Sequence, residues 1–239
     1  MKYEERSYRS LINKDYLISY CIKIKESDLL ISSDSDLSDL ALKSLLRHRQ
    51  FIETYIGNKP EFAASLVPIF EDNLAPPIVR EMIRRTKVCD VGPMASVAGA
   101  VAEFVGRDLL KKTENLIVEN GGDIFLRSRR KTTIGIFAGE SSLSYNVHII
   151  VKPEKTPIGI CTSSATVGPS LSFGKADAVC VLSKSATLAD AAASAIGNRV
   201  KGKGDIRKAL DYGMTIPGVS GIVIILGKEL GAIGEVEFG

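Results

Sequence analysis

Apolar and polar residues alternate with period two over residues 16–25, which predicts a strand, and residues 28–32 read as its hairpin partner. The period then changes. Leu37, Leu40, Leu42, Leu45, Leu46, Phe51, Ile52 and Tyr55 recur at helical spacing, so residues 35–56 are predicted to form a helix that Gly57-Asn58-Lys59-Pro60 ends. A short helical piece is expected at 61–67, with a boundary at Pro68. The Ala75-Pro76-Pro77 turn leads into a helix from 78 to about 87, and Val91-Gly92-Pro93 is a break. Residues 94–110 are helical in pattern but thin, with Ala95, Ser96, Ala98, Gly99, Ala100 and Ala102 near the start. Such a helix either packs closely on a sheet or brings its free N-terminal N–H groups near a ligand.

Further strands are predicted at 115–119, 123–127, 132–137, 145–151, 157–162, 176–183, 219–226 and 232–238. Segments 123–127 and 132–137 read as a hairpin joined by basic residues. An alanine-rich helix is predicted at 187–196 and a further helical segment at 206–210. The expected architecture is a single α+β domain over residues 1–239, a mixed or antiparallel sheet packed with helices. Residues 1–90 form a hairpin-and-helix part and residues 91–239 a pocket-forming part.

With 239 residues, 45% of them hydrophobic, the chain can bury a sizeable core. A net charge of +3 gives no reason to expect a nucleic-acid partner. Its basic clusters, Arg84-Arg85-Lys87, 127–131 and 199–208, are either solvated turns and helix ends or a rim that faces phosphate. The four cysteines, Cys21, Cys89, Cys161 and Cys180, form no C-x-x-C pair, and only two histidines are present. That argues against a zinc site and suits free thiols in a reducing cytoplasm. Met1 to Arg6 is charged and lacks the apolar core of a signal peptide, and no apolar run approaches the roughly 18 residues of a membrane span. A homodimer is the default oligomer, because two-fold dimers are the commonest.

The chemistry concentrates in three polar knots set among small apolar residues. The first is Glu119-Asn120-Gly121-Gly122-Asp123, either a tight hairpin or part of a site. The second runs from Cys161 through Thr162, Ser163 and Ser164 to Ser172-Phe173-Gly174-Lys175-Ala176-Asp177. Its hydroxyls form either a turn network or a donor cluster for phosphate, with Lys175 and Asp177 adding one charge of each sign. The third places Asp190 and Ser194 four residues apart on one helix face, where a carboxylate and a hydroxyl can hold Mg²⁺ or Ca²⁺ through oxygen. Asp190 alone could instead serve the helix dipole. His148 lies on an apolar alternation and reads as structural. Neither a Walker motif nor a Gly-x-Gly-x-x-Gly fingerprint is present.

In this order the knots resemble the ApbE-like superfamily, the fold of FAD:protein FMN transferases, and most closely its shorter UPF0280 branch. The resemblance rests on 91–100 (Val-Gly-Pro-Met-Ala-Ser-Val-Ala-Gly-Ala), the 119–123 knot, Cys161-Thr162-Ser163-Ser164, 170–177 and Ala189-Asp190-Ala191. It implies Mg²⁺ held by Asp190, Ser194 and a backbone carbonyl near Ala95, and FAD or FMN as ligand. Asn120, Gly121, Gly122, Thr162, Ser163, Ser164, Ser172 and Lys175 would then contact the ligand, and Asp123 and Asp190 would be catalytic. The chain departs from the transferases where they carry Lys-Gly, since it has Ala98-Gly99, and their His-Ile-Ile-Asp-Pro segment is replaced by 172–177. Two functional expectations follow. One is a Mg²⁺-dependent transferase or hydrolase acting on FAD or another pyrophosphate. The other is a ligand-binding accessory protein in anaerobic sulfur assimilation or homocysteine synthesis, with Cys161 beside the pocket. A structural or interaction protein is disfavoured, because grouped buried polar side chains are costly unless paired.

Overall fold

The run Ile222-Val223-Ile224-Ile225 has no polar alternation, so a strand there needs cover on both faces. The computed structural model, which describes residues 16–165 and 173–239, supplies that cover. Its strands are β1 Ile18–Ile24, β2 Ser27–Ser33, β3 Leu116–Asn120, β4 Asp123–Arg127, β5 Thr132–Gly135, β6 His148–Val151, β7 Ile158–Ser163, β8 Ala178–Ser183, β9 Val219–Leu226 and β10 Glu229–Gly234. Eight of them form one sheet in the order β1-β2-β3-β4-β7-β8-β9-β10, antiparallel throughout. The helices are α1 Ser38–Asn58, α2 Glu61–Ala64, α3 Pro77–Cys89, α4 Val97–Leu109, α5 Ala186–Gly197 and α6 Ile206–Met214.

Strand parity divides the core in two. Leu116, Val118, Phe125, Cys161, Val179, Val181, Ile222 and Ile224 face the helices. Ile117, Ile124, Leu126, Ile158, Ile160, Cys180, Leu182, Val223 and Ile225 face the other way. That second face is covered by β5 and β6, which form a two-stranded sheet of their own and bury Ile134, Ile149 and Val151 against it. The expected 123–127/132–137 hairpin therefore does not form. β4 has β3 and β7 as neighbours, and β5 leaves the sheet to cover apolar side chains that would otherwise meet water.

Two other differences have local causes. On α1 the buried face is Ala41, Ser44, Leu45, His48, Ile52 and Tyr55, while Leu42, Leu46 and Phe51 are exposed. Ser44 and His48 belong to that face because both hydrogen-bond the Asp108 carboxylate. β10 ends at Gly234 rather than running through 238, and Phe238 instead bridges to Ile149 of the small sheet.

α5 lies over β7 and β8 and contacts α3, α4 and α6. Its first residue, Ala186, is wedged between two glycines. A Cβ on Gly99 of α4 would stand 2.4 Å from the Ala186 carbonyl oxygen and 2.7 Å from Asp190 Cβ, and one on Gly159 of β7 would stand 2.3 Å from Ala186 Cα. This crossing explains the small residues of both helices. Gly99→Ala should lower stability by about 1–3 kcal/mol, read from the urea midpoint, because backbone rather than a flexible side chain blocks the new methyl. A change below about 0.5 kcal/mol would contradict such a tight crossing.

Among the described residues no single helix is long and apolar enough to cross a membrane.

Candidate functional site

Asn120 and Asp123 are paired residues of β3 and β4, joined by the two-residue turn Gly121-Gly122 with φ of 67° and 102°. Positive φ at both positions is what a tight type I′ hairpin demands, and glycine accepts it without strain. The turn delivers three polar side chains to one end of the sheet. Glu119 braces it, its Oε1 accepting from Gly122 N at 2.8 Å. Asn120 donates to the Ala98 carbonyl at 3.1 Å, tying the strand end to the start of α4. Asp123 shares the parity of Phe125, so its carboxylate points to the helix side.

On that side α5 presents Asp190. Within α5 only Asp190 and Ser194 escape full burial; the neighbouring Asn198 continues the same line beyond its end. Asp190 Oδ2 accepts the Gly99 N–H at 2.8 Å, so this carboxylate sits at the N-terminus of α4, not of its own helix. α4 returns the contact. Glu103, fully buried, accepts from Ser185 Oγ at 2.9 Å, Thr187 N at 2.9 Å and Thr187 Oγ1 at 2.8 Å at the N-terminus of α5, and its other oxygen takes Arg107. Each helix thus places a carboxylate on the other's free N–H groups. Glu103 escaped the motif reading; its one signal was a lone acidic residue in the otherwise apolar stretch 97–106.

Electrostatically the site disfavours negative charge on either carboxyl. Burial pushes the Asp190 carboxyl up to about 7, while the Gly99 and Ala98 backbone N–H groups pull the other way. Burial and then the neighbouring Asp190 charge push Asp123 well above the ordinary carboxylate range. Asp123 Oδ1 is buried and has no hydrogen-bond partner. A buried, orphaned carboxylate oxygen close enough to a second carboxylate to feel its charge fits an oxygen-coordinated cation. Among the described residues no three His, Cys, Asp or Glu side chains gather as a metal cluster, so a cation here would be held by two carboxylates at most, with hydroxyl, backbone and water oxygens completing its shell. Mg²⁺ characteristically binds with so few protein ligands.

The remaining candidates separate. Ala95 lies in a 3-10 turn, Pro93–Ser96, that packs against α5 just before α4. Thr162, Ser163 and Ser164 do not form one cluster. Along β7 successive side chains alternate, so Ser163 faces α5, its hydroxyl beside Gly197, while Thr162 faces away and hydrogen-bonds Cys180. The Thr162 hydroxyl thus lies on the opposite face of the sheet from α5, while its backbone N–H reaches the Asp123 carboxylate. Ser164 follows the strand and is partly buried. Lys175 is exposed, with its backbone N–H on the Val200 carbonyl at 2.7 Å, in a segment that rests on the C-terminal end of α5 where Phe173 N meets Asn198 Oδ1 at 2.9 Å. Ser172 lies outside the described residues. Asp177 is engaged elsewhere, accepting Gly227 N at 2.6 Å below the β9–β10 turn. Cys161 is wholly buried beneath Asp123; burial and the two aspartates raise its thiol far above the ordinary range, which makes it a poor nucleophile.

An all-antiparallel sheet with helices on one face, and a carboxylate pair where two of them cross, define an α+β protein with a candidate cation site. A family model described as AbpE bacteria matches residues 9–237. The UPF0280 protein of Methanocaldococcus jannaschii is 42% identical over 221 residues, covering 90% of each chain. That of Methanococcus aeolicus is 39% identical, covering 90% of this chain and 89% of its own. The chain belongs to the UPF0280 family, of ApbE-like fold. Among solved structures, the flavinyl transferase ApbE of Pseudomonas stutzeri in its apo form matches with a TM-score of 0.57 at 13% identity, covering 91% of this chain and 94% of its own. The ApbE protein of Thermotoga maritima matches with 0.57 at 14% identity, covering 90% and 96%. At such identities the likeness shows the fold alone.

Proposed function

We propose that the chain binds a divalent cation, best Mg²⁺, at Asp123 and Asp190 and uses it to hold FAD or a related nucleotide diphosphate for phosphoryl-group cleavage or transfer. The observation that carries this reading is the orphaned Asp123 Oδ1 beside the Asp190 charge, with both carboxyls pushed toward protonation. The names of the structural neighbours, flavin transferases of the same fold, support the choice of ligand.

The geometry offers a track rather than a point. Asp190, Ser194 and Asn198 succeed one another along one face of the α5 line, so the cation end and the Ser163–Lys175 end stand about 12 Å apart along the helix axis. That length suits an extended dinucleotide better than a lone phosphate. When bound, the cation would neutralise the diphosphate and the charge developing on the leaving phosphate. Asp123 would orient a cation ligand, Asp190 would hold the cation while keeping α4 in place, and Ser163 and Lys175 would meet phosphate oxygens. The metal set proposed is Asp190, Ser194 and the Ala95 carbonyl, completed by Asp123. Ser164, Asn120, Gly121 and Gly122 would shape the wall.

The test is FAD binding by flavin fluorescence with and without Mg²⁺, followed by assay for AMP. Mg²⁺-dependent binding with AMP release is expected. Asp123→Asn, which replaces a carboxyl that ionises only at a cost in the apo protein, should abolish the Mg²⁺-dependent binding while leaving the fold as stable or more so. FAD binding by the parent that ignores Mg²⁺, or Mg²⁺-dependent binding that survives this substitution, would overturn the cation assignment.

A further inference from the structure

We propose a second binding site, for a small multiply charged oxyanion, in a cavity between α1 and the C-terminal end of α4, built by residues that take no part in the carboxylate site. The cavity has a volume of about 210 Å³ and is lined by Leu40, Lys43, Ser44, Arg47, Asp108, Lys111 and Lys112. Four cations therefore meet one carboxylate.

That carboxylate cannot balance them. Asp108 already accepts from Ser44 Oγ at 2.7 Å, His48 Nε2 at 2.9 Å and Lys111 Nζ at 3.1 Å, and it pairs with Arg47. Although partial burial works against it, these bonds hold its carboxyl below the usual range, so it is saturated as an anion. Lys43 and Lys112 have no ion-pair partner among the described residues. Lys43 and Arg47 are also four apart on α1, a like-charge spacing that destabilises a helix. Lys111 and Lys112 are individually favourable after a helix C-terminus. Helix-dipole compensation does not account for the two α1 cations facing them.

The lining is mostly apolar, as expected of Leu40 and the aliphatic stems of the four basic residues, whose charged heads are free to reach a ligand at the mouth. A cavity of this size is below the roughly 300–1,000 Å³ of pockets that enclose nucleotide- or drug-sized ligands, so it selects a compact ligand. Two or more negative charges match the two unpaired lysines, Lys43 and Lys112. A diphosphate-like oxyanion meets both conditions.

Isothermal titration with inorganic pyrophosphate in EDTA tests the site, because the carboxylate site requires a cation and is silent there. Binding that weakens with added salt is expected. The double variant Lys43→Gln/Lys112→Gln should weaken it about five- to tenfold, since rim charges are individually worth only a few-fold. Asp123→Asn should leave it unchanged, which separates this site from the proposed function. No heat up to about 10 mM pyrophosphate, or equal binding by the double variant with its fold confirmed by circular dichroism, would overturn the proposal.

Discussion

Glu103→Ala is expected to lower stability by about 3–5 kcal/mol, enough to leave many domains of this size largely unfolded. The side chain is fully buried and one of its oxygens satisfies three donors at the start of α5. Removing it strands the Ser185 and Thr187 hydroxyls and the Thr187 N–H in a place water cannot reach. Ser185 is also the N-cap that accepts from Leu188 N at 3.2 Å, so the first turn of α5 loses its anchor along with its partner. Because Asp190 lies one turn further on, the cation site should fail with it. Glu103→Gln keeps an acceptor and should cost less, about 1–3 kcal/mol. Arg107→Ala removes only a half-exposed partner and should cost below about 1 kcal/mol. Urea unfolding of the three variants decides; a Glu103→Ala protein within about 1 kcal/mol of the parent would show that the α4–α5 exchange is not a main support.

The second large effect is pH dependence in the absence of cations. Asp190 has its carboxyl raised from 3.8 to about 7, so the folded state binds a proton that the unfolded chain has released across that window. A raised carboxyl stabilises the fold fully below the unfolded value of 3.8 and loses that contribution as pH rises through about 7. The apo protein should therefore lose roughly 2–4 kcal/mol between those limits, allowing for the partial exposure of Asp190. Asp123, raised in the same direction and coupled to it, widens the window upward. The depressed carboxyls Asp34 and Asp72, at about 2, act in the opposite sense but below 3.8, whereas His48, lowered from 6.5 by burial, opposes it inside the window, so the loss is read as the difference between the parent and Asp190→Asn. Mg²⁺ should restore stability at about pH 8 and do little at about pH 5, since protons and the cation compete for the same oxygens. Midpoints that rise from acid to neutral in EDTA, or an equal Mg²⁺ effect at both pH values, would refute a cation held by these carboxylates.

Most strands and helices were legible as periodicity, and the three polar knots stood out as groups a core does not need. What local pattern could not convey was partnership. The 123–127 and 132–137 strands are close in sequence and joined by basic residues, yet they lie in different sheets, because the second face of the large sheet had to be covered. Thr162 and Ser163 look alike in the chain and are sent to opposite faces by the two-residue repeat of β7. Glu103 was one acid in an apolar run until α5 was laid across it.

The division follows from the range of the forces involved. Turn chemistry at Gly121-Gly122, helix breaks at Pro60 and Pro93, and the residue types able to bind a cation depend on each residue and its near neighbours, and these the order of amino acids determined. Whether Asp123 is an orphaned charge, whether Asp190 ends at its own helix or at α4, and whether Cys161 is a reactive or a smothered thiol depend on burial and on groups tens of residues away. Desolvation and long-range pairing exist only once the sheet and helices have closed on one another, and so the tertiary structure alone decided them.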